Sequence, residues 1–520
     1  MEKEHTPGPQ TSAERAADPA DVIARSAAGA ATTALAGLFG RAAGLLTTIL
    51  VTYFLSRADY GHANLALVVA TITNLATLLS PQQALLTRRT GYEAAAALAH
   101  GWATYSGVVV SGLLALFGPW LLGRLGQPEA TPLLWVYCVA LLLERIGTIP
   151  ALELRYRLRF GDVAKLEAGG DLCYVTTTIA AALLGAGALC LPLGMVARHG
   201  GRLVALRWAK RGPLWPARPA LRAGEARVLL VELGRYSLPI HLGALGELAT
   251  LHLDNVFVGA LYSAAAQGLY AVGYTLVMTP ADTIARYGAM AMVRALGLPD
   301  AAERQRVFLR GLRYLSLLLF PIGIGAAAVA PTLEAALLPA HWHGVASLMV
   351  GLAAGAMSLG CYALSFAQLT ALMRPVLGGL LPMTRLAAFA LGLFLVTRWD
   401  PAHQHLQAVA WAVSAALAVA AGVALWLSAR VDRLPASRLL RALAPSVAGS
   451  AVMGAGLWSL QRELRALAIA PSLFCLLGEI AFAVLLYGLY LKLCHRAIWQ
   501  EASRWLRARV RRRPAAPQDI

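Results

Sequence analysis

The sequence predicts an all-α polytopic membrane protein with about 14 transmembrane helices, and three observations carry that expectation. Of 520 residues, 58% are hydrophobic and only 14% are charged, against about a quarter charged in a soluble domain. The mean hydropathy is +0.61, an apolar excess that needs an apolar solvent outside any core. Apolar runs of about 20 residues, long enough to cross ~30 Å of hydrocarbon, recur along the chain. The formal net charge is +18, from 45 basic and 27 acidic residues. On a soluble chain that balance would suggest nucleic acid. On this one it does not, and a soluble enzyme, a disordered chain and a nucleic-acid-binding domain are all excluded.

Residues 1–24 are polar, mixed in charge and carry three prolines. No apolar region follows a basic start, so they read as a cytoplasmic tail and not a signal peptide. Spans are expected near 28–55, 61–79, 97–122, 132–152, 168–185 and 186–206, with a tight turn at 185/186. A second series follows near 228–259, 265–285, 309–330, 345–371, 376–396, 408–428, 443–460 and 471–491. Pro192, Pro239 and Pro321 fall in or near the starts of spans, where kinks are tolerated because neighbouring helices satisfy the freed backbone groups. Residues 207–227 form a Pro-rich basic linker. The tail 493–520 sets Ile498, Trp499, Trp505, Leu506 and Val510 against a basic face, as in a helix lying on anionic lipid. Cys138, Cys173, Cys190, Cys361, Cys475 and Cys494 form no CxxC pair. Neither a zinc site nor a disulfide framework is supported, and they read as packing residues.

An even number of spans puts both termini on one side of the membrane. With that side cytoplasmic, 34 of the 45 Lys and Arg lie on it, counting Arg310 and Arg313 at the cytoplasmic start of the 309–330 span. The outer loops hold five (Arg57, Arg124, Arg398, Arg462 and Arg465), and six lie within spans. That asymmetry sets the orientation. The outer loops are all short, whereas membrane glycosyltransferases and sugar polymerases usually carry acidic residues on sizeable loops there, so an enzyme is not expected.

The turn after span one reads Ser56-Arg57-Ala58-Asp59-Tyr60-Gly61, and that after span seven Ser263-Ala264-Ala265-Ala266-Gln267-Gly268. Both fit Ser-x-Ala-x-x-Gly, offset by 207 residues, between the first two helices of a six-helix series. A shift of six spans preserves orientation, so the repeats would be parallel, related by an axis along the membrane normal. The expected organisation is an N-lobe at 25–206, the linker at 207–227, a C-lobe at 228–430 and two added helices at 431–492.

The stretch LVTYFLSRADYGHANLALVVATITNLATLLSPQQALLTRR resembles the first hairpin of lipid-linked oligosaccharide flippases. These are the Wzx-type polysaccharide exporters of the multidrug/oligosaccharidyl-lipid/polysaccharide (MOP) superfamily. GRYSLPIHLGALGELATLHLDNVFVGALYSAAAQGLYAVGYTLV is similar to the start of their second lobe, with Asp254 on an apolar helix followed by Gln267-Gly268-Leu269-Tyr270. The resemblance spans roughly 25–430, and it implies two lobes around a cleft partly lined by span one.

An ionisable group at bilayer depth is costly unless paired or facing water, so each is a functional candidate. The in-span cations are Arg41, Arg145, Arg198, Arg202, Arg235 and Arg385. In the cleft that the resemblance implies, Arg41 could hold a pyrophosphate bidentately; the alternative is an Arg satisfied by a neighbouring helix. Arg385 is either a second cleft cation or snorkels to the near interface. Arg198 and Arg202, beside His199, either reach inner headgroups or form a basic vestibule. Arg235 and Glu232, at i and i+3, are expected to form an interfacial pair. Ion or proton coupling would fall to Glu247 and Asp254, seven apart on one face of span seven, with Glu144 a further candidate; the alternative for Asp254, near the outer end, is a place at the interface. Glu144 and Arg145 point to different sides, while Asp171 and Glu479 are expected near interfaces or polar neighbours. His341-Trp342-His343 lacks a third ligand and reads as interfacial rather than as a metal site.

No Walker motif is present, and no cofactor beyond a coupled H+ or Na+ is expected. The expected substrate is a polyprenyl-pyrophosphate-linked oligosaccharide, with membrane lipids, and a polymerase and glycosyltransferases as working partners. A lipid II flippase or a multidrug/cation exporter of the same superfamily is the nearest alternative, although an exporter of cations would favour an acidic cleft. A membrane-embedded glycosyltransferase or polymerase stands further off.

Overall fold

The computed structural model describes residues 36–77, 82–87, 91–210, 223–372, 375–496 and 499–500. The expected tail at 1–24, nearly all of the linker and most of the C-terminal tail lie outside the described residues. Among those described, every regular element is helical, and fifteen α-helices occur. The first series comprises α1 (Ala36–Val51), α2 (Arg57–Thr77), α3 (Gln82–Thr87), α4 (Tyr92–Arg124), α5 (Thr131–Tyr156), α6 (Phe160–Leu183) and α7 (Cys190–Lys210). Then come α8 (Ala223–Leu261), α9 (Ala264–Leu296), α10 (Ala301–Leu337), α11 (Val345–Ala371), α12 (Pro375–Trp399) and α13 (Leu406–Asp432). The last two are α14 (Ala436–Ala466) and α15 (Leu473–Cys494).

Fourteen of these correspond one for one to the expected spans. The short helix α3 is additional. Helix α6 begins eight residues earlier than expected, because Asp162 suits the positive end of a helix dipole and Arg159 pairs with it. The tight turn is shifted to 184–189, where Gly185 and Gly187 take positive φ, so α7 starts at Cys190. Eight helices are long and apolar enough to cross a membrane by composition alone: α4, α5 and α10–α15. Helices α6–α9 do not reach that mark among the described residues.

The loops cluster at two ends. One, here the linker face, carries 157–159, 297–300 and 433–435. The opposite hairpin face carries 52–56, 125–130, 184–189, 262–263, 338–344, 400–405 and 467–472. Helices α4–α7 pack together, as do α9–α13, with α2 touching both groups and α14 and α15 packed on α10. A buried apolar core runs through both groups, from Leu65 and Leu134 to Val272, Leu352 and Val413.

The repeated Ser-x-Ala-x-x-Gly segments meet each other. Ser56 Oγ accepts from the Asp59 N–H at 3.1 Å, and Ser263 Oγ accepts from the Ala266 N–H at 3.1 Å, so each serine caps its helix in the same way. Gly61 then lies against the Ala264 carbonyl, and Gly268 against the Arg57 carbonyl. Arg57 and Ala264 are themselves related by the 207-residue offset. The contact is therefore reciprocal about a local two-fold axis, and glycine is needed on both sides because any Cβ would strike backbone.

A second contact reinforces this seam. Trp342, with no exposed surface, donates from Nε1 to the Thr52 carbonyl at 2.9 Å and packs edge-on to Tyr60. Arg57 donates to the carbonyls of His341 and His343, and the Tyr53 hydroxyl to that of Leu337 at 3.0 Å. The loop 338–344 thus clasps the 52–57 turn.

Candidate functional site

Toward the linker face, α1 lies between α6 and α9. Gly37 sits under the Tyr287 hydroxyl and Gly40 against the Asp171 carboxylate. That close passage places Arg41 opposite Asp282 of α9, at 3.6 Å. Both side chains remain partly accessible, at 36% and 27%. Asp282 is also held by Arg286, one helical turn away, at 3.2 Å. One carboxylate thus meets two guanidinium groups in an accessible position, an arrangement that a stronger anion can enter by exchange.

Arg198 and Arg202 do not stand as unpaired cations. Arg198 pairs with Asp171 at 2.5 Å and Arg202 with Glu167 at 2.9 Å, and Arg155 also reaches Glu167 at 3.6 Å. The i,i+4 spacing on α7 meets the same spacing on α6, forming a two-rung charged ladder. Both cations of the expected vestibule are thus paired with carboxylates of α6. Beside it, Glu144, His199, Arg155 and Arg202 line a cavity of about 150 Å³.

Arg145 is buried and grips Asn74, its Nε and Nη2 lying 2.9 and 2.8 Å from Oδ1. Its Nη2 also donates to the Asn74 carbonyl at 3.2 Å, near the C-terminal end of α2. A cation there complements the helix dipole. Arg385 is 4% exposed, with its guanidinium 5.3 Å from the centre of the Tyr362 ring. It packs inside the protein and does not snorkel. Arg235 is exposed on the linker-face half of α8.

Asp254 is only 1% exposed, so it is buried within the protein. It accepts from the Tyr270 hydroxyl at 2.6 Å and from the Asn255 backbone and side-chain N–H groups at 2.8 and 3.0 Å. Asn64 of α2 donates to Asn255 at 3.0 Å, so the cluster bridges the seam. Glu247 lies in 242–251, whose side chains are outside the described residues.

The His341 ring is 3.2 Å from the Leu55 carbonyl, and His343 Nδ1 is 2.7 Å from Glu334. These histidines hold the clasp. Among the described residues no group of three or more His, Cys, Asp or Glu is placed to hold a metal ion. Glu479 is buried and accepts from Thr332 at 2.8 Å and Gln461 at 3.1 Å. In the loop after α12, burial would raise the Asp400 carboxyl. The His405 and Gln404 backbone N–H groups and the His405 ring outweigh this and hold it down to about 2. The Tyr262 hydroxyl, which donates to Asp400 at 3.3 Å, is pushed up to about 12 by burial and then by that charge.

Sequence reasoning passed over Asp282 and Asn74, and it named Tyr270 in the Gln267–Tyr270 stretch without pairing it with Asp254. An acid four residues before an Arg at the end of span eight was the one signal for Asp282. Nothing local marks Asn74 or Tyr270, whose partners lie 71 and 16 residues away.

A family model described as "Polysaccharide biosynthesis protein" matches residues 50–347, more than half of the chain. Among solved structures, lipid II flippase MurJ in an inward closed conformation superposes with a TM-score of 0.68 at 11% identity, covering 89% of this chain and 98% of that one. An inward-facing multidrug resistance MATE family transporter of the MOP superfamily gives 0.59 at 15% identity, covering 77% and 95%. A MOP superfamily transporter from Pyrococcus furiosus, described as having a binding pocket of reverse polarity, gives 0.52 at 14%, covering 78% and 95%. At such identities the likeness is one of fold. No curated protein matches the sequence significantly.

Proposed function

The chain belongs to the polysaccharide biosynthesis protein family, and from that premise we propose that it flips a polyprenyl-pyrophosphate-linked oligosaccharide across the bacterial inner membrane. The cargo moves from the cytoplasmic to the periplasmic leaflet and supplies a surface polysaccharide such as O-antigen, capsule or exopolysaccharide. The linker face and both termini are cytoplasmic, as the distribution of Lys and Arg argues.

The observation that carries this reading is the accessible Arg41–Asp282–Arg286 arrangement. A guanidinium presents a planar donor fork that matches phosphate oxygens. A diphosphate brings more charge and more acceptors than one carboxylate, so it can displace Asp282 and be held by Arg41 and Arg286. The polyprenyl chain stays in the bilayer while the lobes rock. Return to the resting state restores the Arg41–Asp282 pair. Coupling to H+ or Na+ would fall to Asp254, Glu247 or Glu144. Asp254 is the best placed, because its cluster joins α8, α9 and α2 and would be rearranged when the seam opens.

The test is export in cells. Arg41→Ala, at normal protein level, should abolish surface glycan and leave lipid-linked units on the cytoplasmic leaflet. Wild-type export with that variant would sink the role of Arg41. A lipid II flippase shares the diphosphate chemistry and is the second reading. Arrest of peptidoglycan synthesis, with surface glycan intact, would select it.

A further inference from the structure

Helices α13 and α14 meet at the linker face through a turn of only three residues, and a groove of about 510 Å³ rises between them. Its upper walls are apolar, formed by Gly422, Leu425, Trp426 and Leu439, and its mouth carries Arg430 and Arg433. Trp426 is 53% exposed at the rim, so the groove opens sideways, toward the surface that the apolar belt of these helices presents to lipid. We propose that this groove binds one anionic glycerophospholipid, its phosphate at Arg430 and Arg433 and one acyl chain along the apolar walls.

Three features argue for a built site. First, the rim charge is not cancelled. Asp432 stands between the two arginines in sequence, but it is turned inward and consumed by Arg304 and Gln368. Among the described residues, neither Arg430, Arg433 nor the nearby Arg438 takes part in an ion pair. Second, the rim is pre-shaped. The Arg430 guanidinium lies 4.7 Å from the centre of the Trp426 ring, which limits where it can swing. Arg433 takes the left-handed conformation that closes α13, with φ 52 and ψ 39, where glycine is the unstrained choice. The cost of that conformation is thus kept at a position that carries a guanidinium. Third, the two chemistries are stacked in the order a phospholipid presents them, with cations at headgroup level and an apolar channel above. Basic pockets between membrane helices are the usual seats of anionic headgroups. A zwitterionic lipid would fill the same channel without using the rim charge. This proposal is independent of the cargo and of the Arg41 site.

Native mass spectrometry of the full chain in detergent tests it. The protein is titrated with phosphatidylglycerol and, separately, with phosphatidylcholine of the same acyl chains. Wild type should retain phosphatidylglycerol about tenfold better, and R430Q/R433Q should reduce that preference to near unity. Quenching by brominated acyl chains locates the lipid without relying on the arginine variant. Brominated phosphatidylglycerol should quench the share of tryptophan emission that W426F removes, and brominated phosphatidylcholine should quench it weakly at equal concentration. Equal retention of the two lipids by wild type, an unchanged preference in a helical and monodisperse R430Q/R433Q, or equal quenching at Trp426 would each overturn the proposal.

Discussion

Asp432 has a fully buried side chain, and it accepts from Arg304 Nε and Nη2 at 2.9 and 2.5 Å and from Gln368. Gln305 adds a bond to its carbonyl at 2.6 Å, so one carboxylate ties α10, α11 and α13 together. Removing one partner of a buried pair leaves an uncompensated charge, a loss of about 3–5 kcal/mol. Asp432→Asn should therefore lower the thermal midpoint of the detergent-solubilised protein clearly, whereas R438Q, on the exposed rim, should change stability by about 0.5 kcal/mol or less. Asp400 shows the same economy outside the membrane. Its folded value is depressed, so its contribution is fully present above the ordinary carboxylate value of 3.8 and is lost as pH falls through about 2. Hydrogen-exchange protection in 400–405, taken relative to the intrinsic rate at each pH, should fall over that window in wild type and show no such step in Asp400→Asn. Charged side chains were readable as candidates from their positions in apolar runs. Whether each was a free cation was not, because Asp171 and Glu167 neutralise Arg198 and Arg202 from another helix.

Helices were the most legible level. The fourteen apolar runs each became a helix, since backbone groups in hydrocarbon must be satisfied within the segment. Their ends moved where polar residues could still be accommodated: α6 took in Asp162, Lys165 and Glu167, and α10 reached back to Ala301 behind an Asp300 cap. The 207-residue repeat also turned out to be a contact as well as a pattern. Two helix starts with the same serine cap pack through Gly61 and Gly268, and each glycine lies against the other segment's backbone. Gly61→Ala and Gly268→Ala should each weaken this closure. Alkylation of Q267C, buried in the seam, should then be faster than in the same variant with both glycines intact; unchanged rates would show that the seam is not the point of closure.

At the scale of the molecule, the direction of transport depends on which side faces the cytoplasm and on how the lobes close. A membrane-impermeant maleimide should label S263C in intact cells, and A301C only after permeabilisation, both in a cysteine-free background. The reverse pattern would invert the orientation and the proposed direction of transport. By itself, the sequence determined that this chain spans a membrane about fourteen times as helices, and it exposed the repeated segment, because hydrophobic length and charge asymmetry are local sums along the chain. It also resembled the family to which the chain belongs. The tertiary structure alone decided which charges remain available. Pairing is a property of distance in space, and Arg41 with Asp282, Arg145 with Asn74, and Arg304 with Asp432 are separated by 71 to 241 residues. No window of sequence can distinguish a guanidinium that will meet a carboxylate from one that will stay open to an anion.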